Sequence, residues 1–570
     1  GREVALNVFV EAKDVNYCDH AMDSLKRSME WDEQVYGLEY DLDLFNIVAV
    51  DDFNMGAMEN KGLNIFNTSC VLASPDITTD AGYLRIESIV AHEYFHNFSG
   101  NRVTCRDWFQ LSLKEGFTVF RDSQFSADMN SPGVKRVEDV SFLRTHQFAE
   151  DAGPMAHPVR PDSFIEISNF YTLTVYEKGA EVVRMLHTLL GHDLFIAGAK
   201  YYFAEYDGQA VTCDDFVSAM EQVSQRDLTQ FRRWYEQSGT PDLIIDDQYD
   251  PIARRVTLTV TQNNGQNPNG ASKPPLHLPV AIGLVVKGHS HTFEEGGSTR
   301  LLEVTEANQV FEIDNVEDKP VVSLLRGFSA PVRLKSADDD DTLAALIGSD
   351  SDDFVKWDAM QRYASRVIEA QARGEPLSDA FISAYRQAMS SDIDAAMKAQ
   401  LLTLPSEEYL ADRQAQHGLV DVFEIRGARE DIKKILATEF EEQWTSWFSR
   451  YENPETYQAN GGQIGQRALR HLALNYLSQA RPEALDWAET LLGNADNLSD
   501  RLATLRVLVN GGDESTRSAV LGNFYRQWQH EALIVNQWFT LQATRPSADT
   551  VESVIALQNH GAFDGRNPNK

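Results

Sequence analysis

The sequence predicts a multidomain α+β protein in which a helix-rich region, a small β-sandwich and a long helical array follow one another. Three observations carry this prediction. The chain has 570 residues, room for roughly three to four domains. Near Pro241 its texture turns from helical spacing to strict alternation. Near residue 342 it turns back to helical spacing and stays there. The expected units are therefore 1–240, 241–335 and 336–570.

Taken in order, residues 1–75 read as short strands and turns, with residues 4–10 and 45–50 as examples. Residues 76 to about 240 read mostly as helices. Val256, Leu258 and Val260 then alternate with Thr257 and Thr259, the pattern of a half-buried strand. Residues 262–275 are rich in Asn, Gly and Pro and read as a hairpin loop, and two further strands are expected at 280–286 and 310–313. The acidic run 338–341 reads as a solvated hinge. Beyond it, Leu469, Leu472, Ala473, Tyr476 and Leu477 keep the i, i+3, i+4, i+7, i+8 spacing of an amphipathic helix. The next helix has Pro482 near its start and Gly493 placed as its stop. Short helices with short links predict a solenoid-like array.

Hydrophobic residues are 42% and charged residues 24%, which excludes a wholly disordered, collagenous or coiled-coil chain. No run approaches the length of a membrane helix, so no membrane span is expected. The net charge of −35 disfavours binding to nucleic acid or anionic lipid. Cys18, Cys70, Cys105 and Cys213 show no C-x-x-C spacing, so no disulfide framework or cysteine zinc site is expected and a reducing compartment is. Position 1 is Gly and residues 565–570 read as a turn between helices; the expectation is a piece of a longer chain, in which a missing signal peptide carries no information.

The sharpest local pattern is His92-Glu93-Tyr94-Phe95-His96, inside a helical stretch from about residue 79 to 97 closed by Gly100. Ile86, Ile89 and Val90 give that helix its core stripe. Residues four apart share a face, so both imidazoles can reach one metal. Glu93 is rotated about 100° from His92, which sets its carboxylate beside the metal as a general base for water. Catalytic zinc takes a third protein ligand. With eighteen residues between, His96 is followed by Glu115 on a second helix, 108–122, where Leu111, Glu115, Thr118 and Asp122 share a face. An antiparallel return brings Glu115 across from the histidines. Asp122 then reads either as the acceptor for a ligand histidine N–H or as an ordinary helix-face acid.

HEYFH, eighteen residues and Glu115 in a Lys-Glu-Gly context match the gluzincin pattern. Gly56-Ala57-Met58-Glu59-Asn60 precedes it and Tyr176-Glu-Lys-Gly179 follows it. With Asn64-Ile-Phe66, the segment 100–109 and the segment 231–241, these motifs resemble the M1 metallopeptidases along the whole chain. The resemblance implies a thermolysin-like (gluzincin) catalytic domain, a small β-sandwich and a C-terminal α-helical superhelix. It also implies that an N-terminal β domain and the last helices of the superhelix are missing. One Zn²⁺ per chain would be held by His92, His96 and Glu115, with Glu93 as base and Tyr176 as the donor to the developing oxyanion. From the residues alone Tyr176 is an ordinary tyrosine, and GAMEN an ordinary glycine turn with a solvated Glu.

By the same resemblance the 56–60 segment lies beside an extended substrate, Glu59 meets the free α-ammonium and Asn60 positions it. Met55 is placed to line the pocket for the first side chain, where a flexible thioether suits broad specificity. Cys70 stands where an aromatic residue is expected in relatives, so the backing of that pocket is expected to be altered. The implied protein is a cytoplasmic, monomeric aminopeptidase acting on short peptides with a free N-terminus, alanine included. A related endopeptidase or epoxide hydrolase, and a catalytically incomplete peptide-binding fragment, are the alternatives. No Walker motif, G-x-S-x-G elbow or basic-aromatic stripe is present.

Overall fold

The structure, a computed structural model, describes residues 2–267, 270–415, 418–450 and 456–566. The first unit opens with strand β1 (Ala5–Phe9), then helix α1 (Asp19–Val35), β2 (Leu44–Val50), β3 (Ala57–Met58) and β4 (Leu63–Asn67). The sheet order is β1-β2-β4-β3, parallel except for β3, which runs antiparallel to β4 at the edge. Helix α1 corrects the reading of 1–75 as strands and turns. Its buried face is Ala21, Ser24, Leu25, Ser28, Trp31 and Asp32. Half of that face is polar, which dilutes the apolar period a sequence reader looks for.

Helices α2 (Asp80–Phe95), α3 (Leu111–Met129), α4 (Pro132–Phe142) and α5 (Phe148–Ala152) follow. Thr79 caps α2 by accepting from Gly82 N at 3.1 Å, and Ile86 and Val90 are buried as expected. Ile89 is partly buried, packed against the same core while also lining the cleft described below. Helix α6 (Gly179–Leu190) is preceded by one π-helical turn, Thr174–Lys178.

Strands Asp242–Asp250, Arg255–Asn263, Asn308–Ile313 and Arg333–Lys335 make one sheet, and Leu278–Val286 with His289–Ser290, Arg300–Val304 and Val321–Leu324 makes the other. Val256, Leu258 and Val260 are fully buried between them. The stretch 262–275 turns back on itself as expected, with Gln266 bridged antiparallel to Ser272 and Lys273 N donating to Gly265 O at 3.0 Å, but the strands on its two sides belong to opposite sheets. Gln262 Nε2 ties it across the gap to Leu276 O and Glu306 O, both at 3.0 Å. One hydrophobic core runs from Ala21 to Val332, without a break between the helix-rich unit and the sandwich.

From Asp340 onward the described residues are helical with short links. The acidic run is a helix start, not a hinge. Asp339 accepts from Thr342 N at 2.8 Å as a cap, while Asp338 and Asp340 pair with Arg362 and Arg366 at 2.5 and 2.9 Å. Helix Gly461–Ala480 buries Leu469, Ala473, Tyr476 and Leu477. The helix after it, Ala484–Asn494, includes Gly493 instead of stopping at it. The turn expected over 565–570 lies, from 567 on, outside the described residues. No helix among the described residues is long and apolar enough to cross a membrane.

Candidate metal centre and substrate cleft

Helices α2 and α3 pack antiparallel, which brings early residues of one to late residues of the other. His92 meets Asp122, and His96 meets Glu115 and Thr118. Arg121, fully buried on α3, fixes the pairing. Its guanidinium bonds Asp32 of α1, Phe95 O at 3.0 Å and Ser99 Oγ at 3.2 Å, sandwiched by Tyr36 and Phe95 at 4.7 Å. The α3–α6 approach is set by two glycines. A Cβ on Gly116 would lie 2.7 Å from the Gly179 carbonyl carbon, and one on Gly179 would lie 2.2 Å from Ser112 Oγ. Ser112 Oγ donates to Val175 O at 2.8 Å. This close crossing carries Tyr176 to the edge of the cleft. Lys178, two residues on, donates to Asp151 Oδ2 at 2.8 Å and to Gly239 O at 2.9 Å, and Thr240 Oγ1 donates to Asp151 at 2.9 Å.

His92 Nε2 and His96 Nε2 are 3.0 Å apart, and Glu115 Oε2 is 3.5 and 3.2 Å from them. Ligands at about 2.0–2.1 Å from a tetrahedral zinc stand roughly 3.3 Å from each other, so the separations fit. The chemistry of the donors fits as well. His92 Nδ1 donates to Asp122 Oδ2 at 2.6 Å and His96 Nδ1 donates to Ser99 O at 2.8 Å, because both partners only accept. In the neutral rings both Nε2 lone pairs then face one point. Glu115 Oε2, also facing it, is buried without a hydrogen-bond partner. Burial opposes its charge, but Lys114 and the histidines hold the Glu115 carboxyl well below the usual range. Two lone pairs and an anion converging in a buried spot could hold a cation, and the set suits zinc.

The cleft around this point has a volume of about 460 Å³. Met55, Gly56, Ala57, Met58 and Glu59 line one side, Asp122 and Glu177 the other, and Tyr171 and Tyr176 stand at its edge. Burial pushes the Glu93 carboxyl up to about 7, while His92 and His96 pull it down. Its Oε2 is buried and without a partner. Glu59, Glu93 and His96 also converge, with donor atoms within 4.8 Å of one another. Burial and the neighbouring Glu115 carboxylate push the Tyr176 phenol far up, so its hydroxyl keeps its proton and can donate. Asn60 is not among the residues lining the cleft; it is exposed, and its carbonyl accepts from Leu63 N at 2.9 Å in a turn. Cys70 is fully buried against Gly56.

Lys114 is the residue that sequence reasoning missed. Its ammonium bridges Glu59, at 2.8 Å, and Glu115. Adjacent helix positions diverge by about 100°, so nothing in the spacing of Lys114 and Glu115 shows that both reach the same cleft. Asn101 Nδ2 donates to Glu59 O at 2.9 Å and fixes the end of β3. Replacing Asp122 with Ala is expected to lower zinc affinity about 10- to 100-fold, because the orienting bond to His92 is lost. Competition against a chromophoric chelator measures this; an unchanged affinity would remove Asp122 from the site.

Residues 20–235 match the model of the peptidase family M1 domain. Residues 239–337 match a domain of unknown function with an Ig-like fold, and 340–570 one with ARM repeats. Over its whole length the chain is 46% identical to aminopeptidase N of Escherichia coli and 44% identical to aminopeptidase N of Caulobacter vibrioides, spanning 66% of the length of each. The crystal structure of Legionella pneumophila aminopeptidase A in complex with aspartic acid covers the whole chain at a TM-score of 0.89 and 30% identity, with 65% of that protein covered.

Proposed function

The chain belongs to peptidase family M1, and on that premise we propose that it is a zinc-dependent aminopeptidase that removes the first residue of short peptides. The observation that carries the reading is the convergence of three metal donors, the buried Glu93 Oε2 without a partner and an edge strand followed by Glu59 on one cleft. Zinc bound there would polarise the scissile carbonyl and make water acidic enough to lose a proton near neutrality.

The chain supplies the rest. Strand β3 offers an unpaired edge along which an extended peptide can lie. Glu59, held ionised by His96 and Lys114 against its burial, takes the α-ammonium at one end of that edge. Glu93 accepts a proton from the attacking water and returns it to the departing amine. The Tyr176 hydroxyl donates to the carbonyl oxygen as negative charge builds on it. Met55, 46% exposed at the cleft rim, is where the first side chain is expected to rest.

The test is release of p-nitroaniline from L-alanyl p-nitroanilide beside its N-acetyl analogue, with and without a zinc chelator. Chelator-sensitive cleavage of the free-amine substrate alone is expected. Equal cleavage of both would remove the role of Glu59 and point to an endopeptidase. Tyr176→Phe is expected to cost about 10²- to 10³-fold in kcat with KM little changed, since its bond strengthens only as the oxyanion forms. A loss confined to KM would make it a binding residue instead.

A further inference from the structure

A second cavity, of about 330 Å³, lies between α2, the start of α4 and the helices Ala395–Leu401 and Gly461–Ala480. It shares Ser88, Ile89, Lys135 and Glu138 with the zinc cleft, so the two spaces adjoin. Arg85 lines its α2 wall, seven residues and about 10 Å of helix before His92. The other cation of the wall, Lys135, is engaged by Asp139 at 2.5 Å. On the far side of α2, Arg27 is likewise engaged by Glu87 at 2.5 Å. Arg85 is exposed, and among the described residues its side chain has no carboxylate within ion-pair distance. Its hydrogen-bond contact is Nη2 to the Cys70 sulfur at 3.4 Å.

That contact brings the guanidinium near the GAMEN segment. A Cβ on Gly56 would sit 3.9 Å from the Cys70 sulfur, so Arg85 stands near the Gly56 end of the edge whose other end is Glu59. A peptide with its α-ammonium at Glu59 that runs towards Gly56 is antiparallel to β3. The three steps from Glu59 to Gly56 span about 10 Å at the rise of a strand, the reach of a tripeptide from its ammonium to its carboxylate. Resting on the aminopeptidase reading above, we propose that Arg85 captures the free C-terminal carboxylate of the substrate and makes the far side of the cleft a subsite for peptides of about three residues. A planar guanidinium pairs with a carboxylate through two parallel hydrogen bonds, whereas a peptide amide offers it one neutral acceptor. Cys70 is the backing of this subsite. It brings its sulfur to the arginine without filling the space in front of it.

The test uses the zinc-loaded chain carrying Glu93→Gln to halt turnover, with binding of Ala-Ala-Ala and of its C-terminal amide measured by calorimetry. The acid is expected to bind about 10- to 100-fold more tightly than the amide. Adding Arg85→Gln is expected to erase that ratio by weakening the acid alone, and Arg85→Lys to keep part of it. Equal affinities in the Arg85 protein, a ratio that survives Arg85→Gln, or no binding of the acid at millimolar concentration would each overturn the proposal. Cleavage by the chain with Glu93 intact is read separately. Arg85-dependent binding without cleavage would sink the aminopeptidase reading and leave the carboxylate site standing. Cleavage with no preference for the acid would do the reverse.

Discussion

Glu93→Gln is expected to lower kcat by about 10²- to 10⁴-fold while zinc content stays at one per chain. The substitution keeps size and polarity but removes the ability to take a proton. It should leave the metal in place because Glu93 is not one of the three converging donors, whose closest approaches are 3.0–3.5 Å among His92, His96 and Glu115. It also removes a carboxylate that burial has raised to about 7, so the fold should lose no stability. Metal analysis, thermal unfolding and rates on L-alanyl p-nitroanilide together read the outcome. A variant within tenfold of the parent rate would take general-base chemistry away from Glu93. Loss of the metal would instead place Glu93 among the ligands.

The second large effect is on stability and lies behind the metal, not on it. Asp32→Ala is expected to cost about 3–5 kcal/mol, because it leaves the Arg121 guanidinium buried without its counter-charge. Both side chains of this pair are 0% exposed, so water cannot take over. Arg121 bonds the backbone at Phe95, one residue before His96, and the Ser99 hydroxyl. The same variant should therefore weaken zinc binding, although Asp32 is no ligand. Denaturant unfolding with excess zinc and with chelator separates the two losses. The paired replacement Asp32→Leu with Arg121→Met should recover most of the stability, since it removes both charges together. If the single variant unfolds within 1 kcal/mol of the parent, this account of the α1–α3 contact is wrong.

Much of this was legible before any coordinates. The period of α2 and its start near residue 79, the alternation at 256–260 and the face shared by Leu469 and Tyr476 are local signals, and local signals survive into the fold. The helix α1 escaped because its buried face carries Ser24, Ser28 and Asp32, which only a tertiary partner such as Arg121 makes intelligible. The 262–275 stretch does turn back on itself, but its composition does not say to which sheet the chain then returns. At the cleft, His92, His96 and Glu115 could be paired from helix geometry. Tyr176, Lys114 and Arg85 could not, because their places depend on the Gly116–Gly179 crossing, on side-chain reach and on a cavity that only packing creates.

Lys178 and Asp151, each side chain 1% exposed, bond to Gly239 and Thr240 where the chain enters the sandwich. A recombination event that joined residues 1–238 to an unrelated partner would strip the Gly239 carbonyl from a buried ammonium two residues past Tyr176, and the Gly239 N–H and Thr240 hydroxyl from its counter-ion Asp151. The damage would fall on the cleft, although the breakpoint lies in a link between units. The sandwich and the unit before it thus behave as one piece, and exchanging modules at this seam would disturb the cleft before it supplied a new architecture.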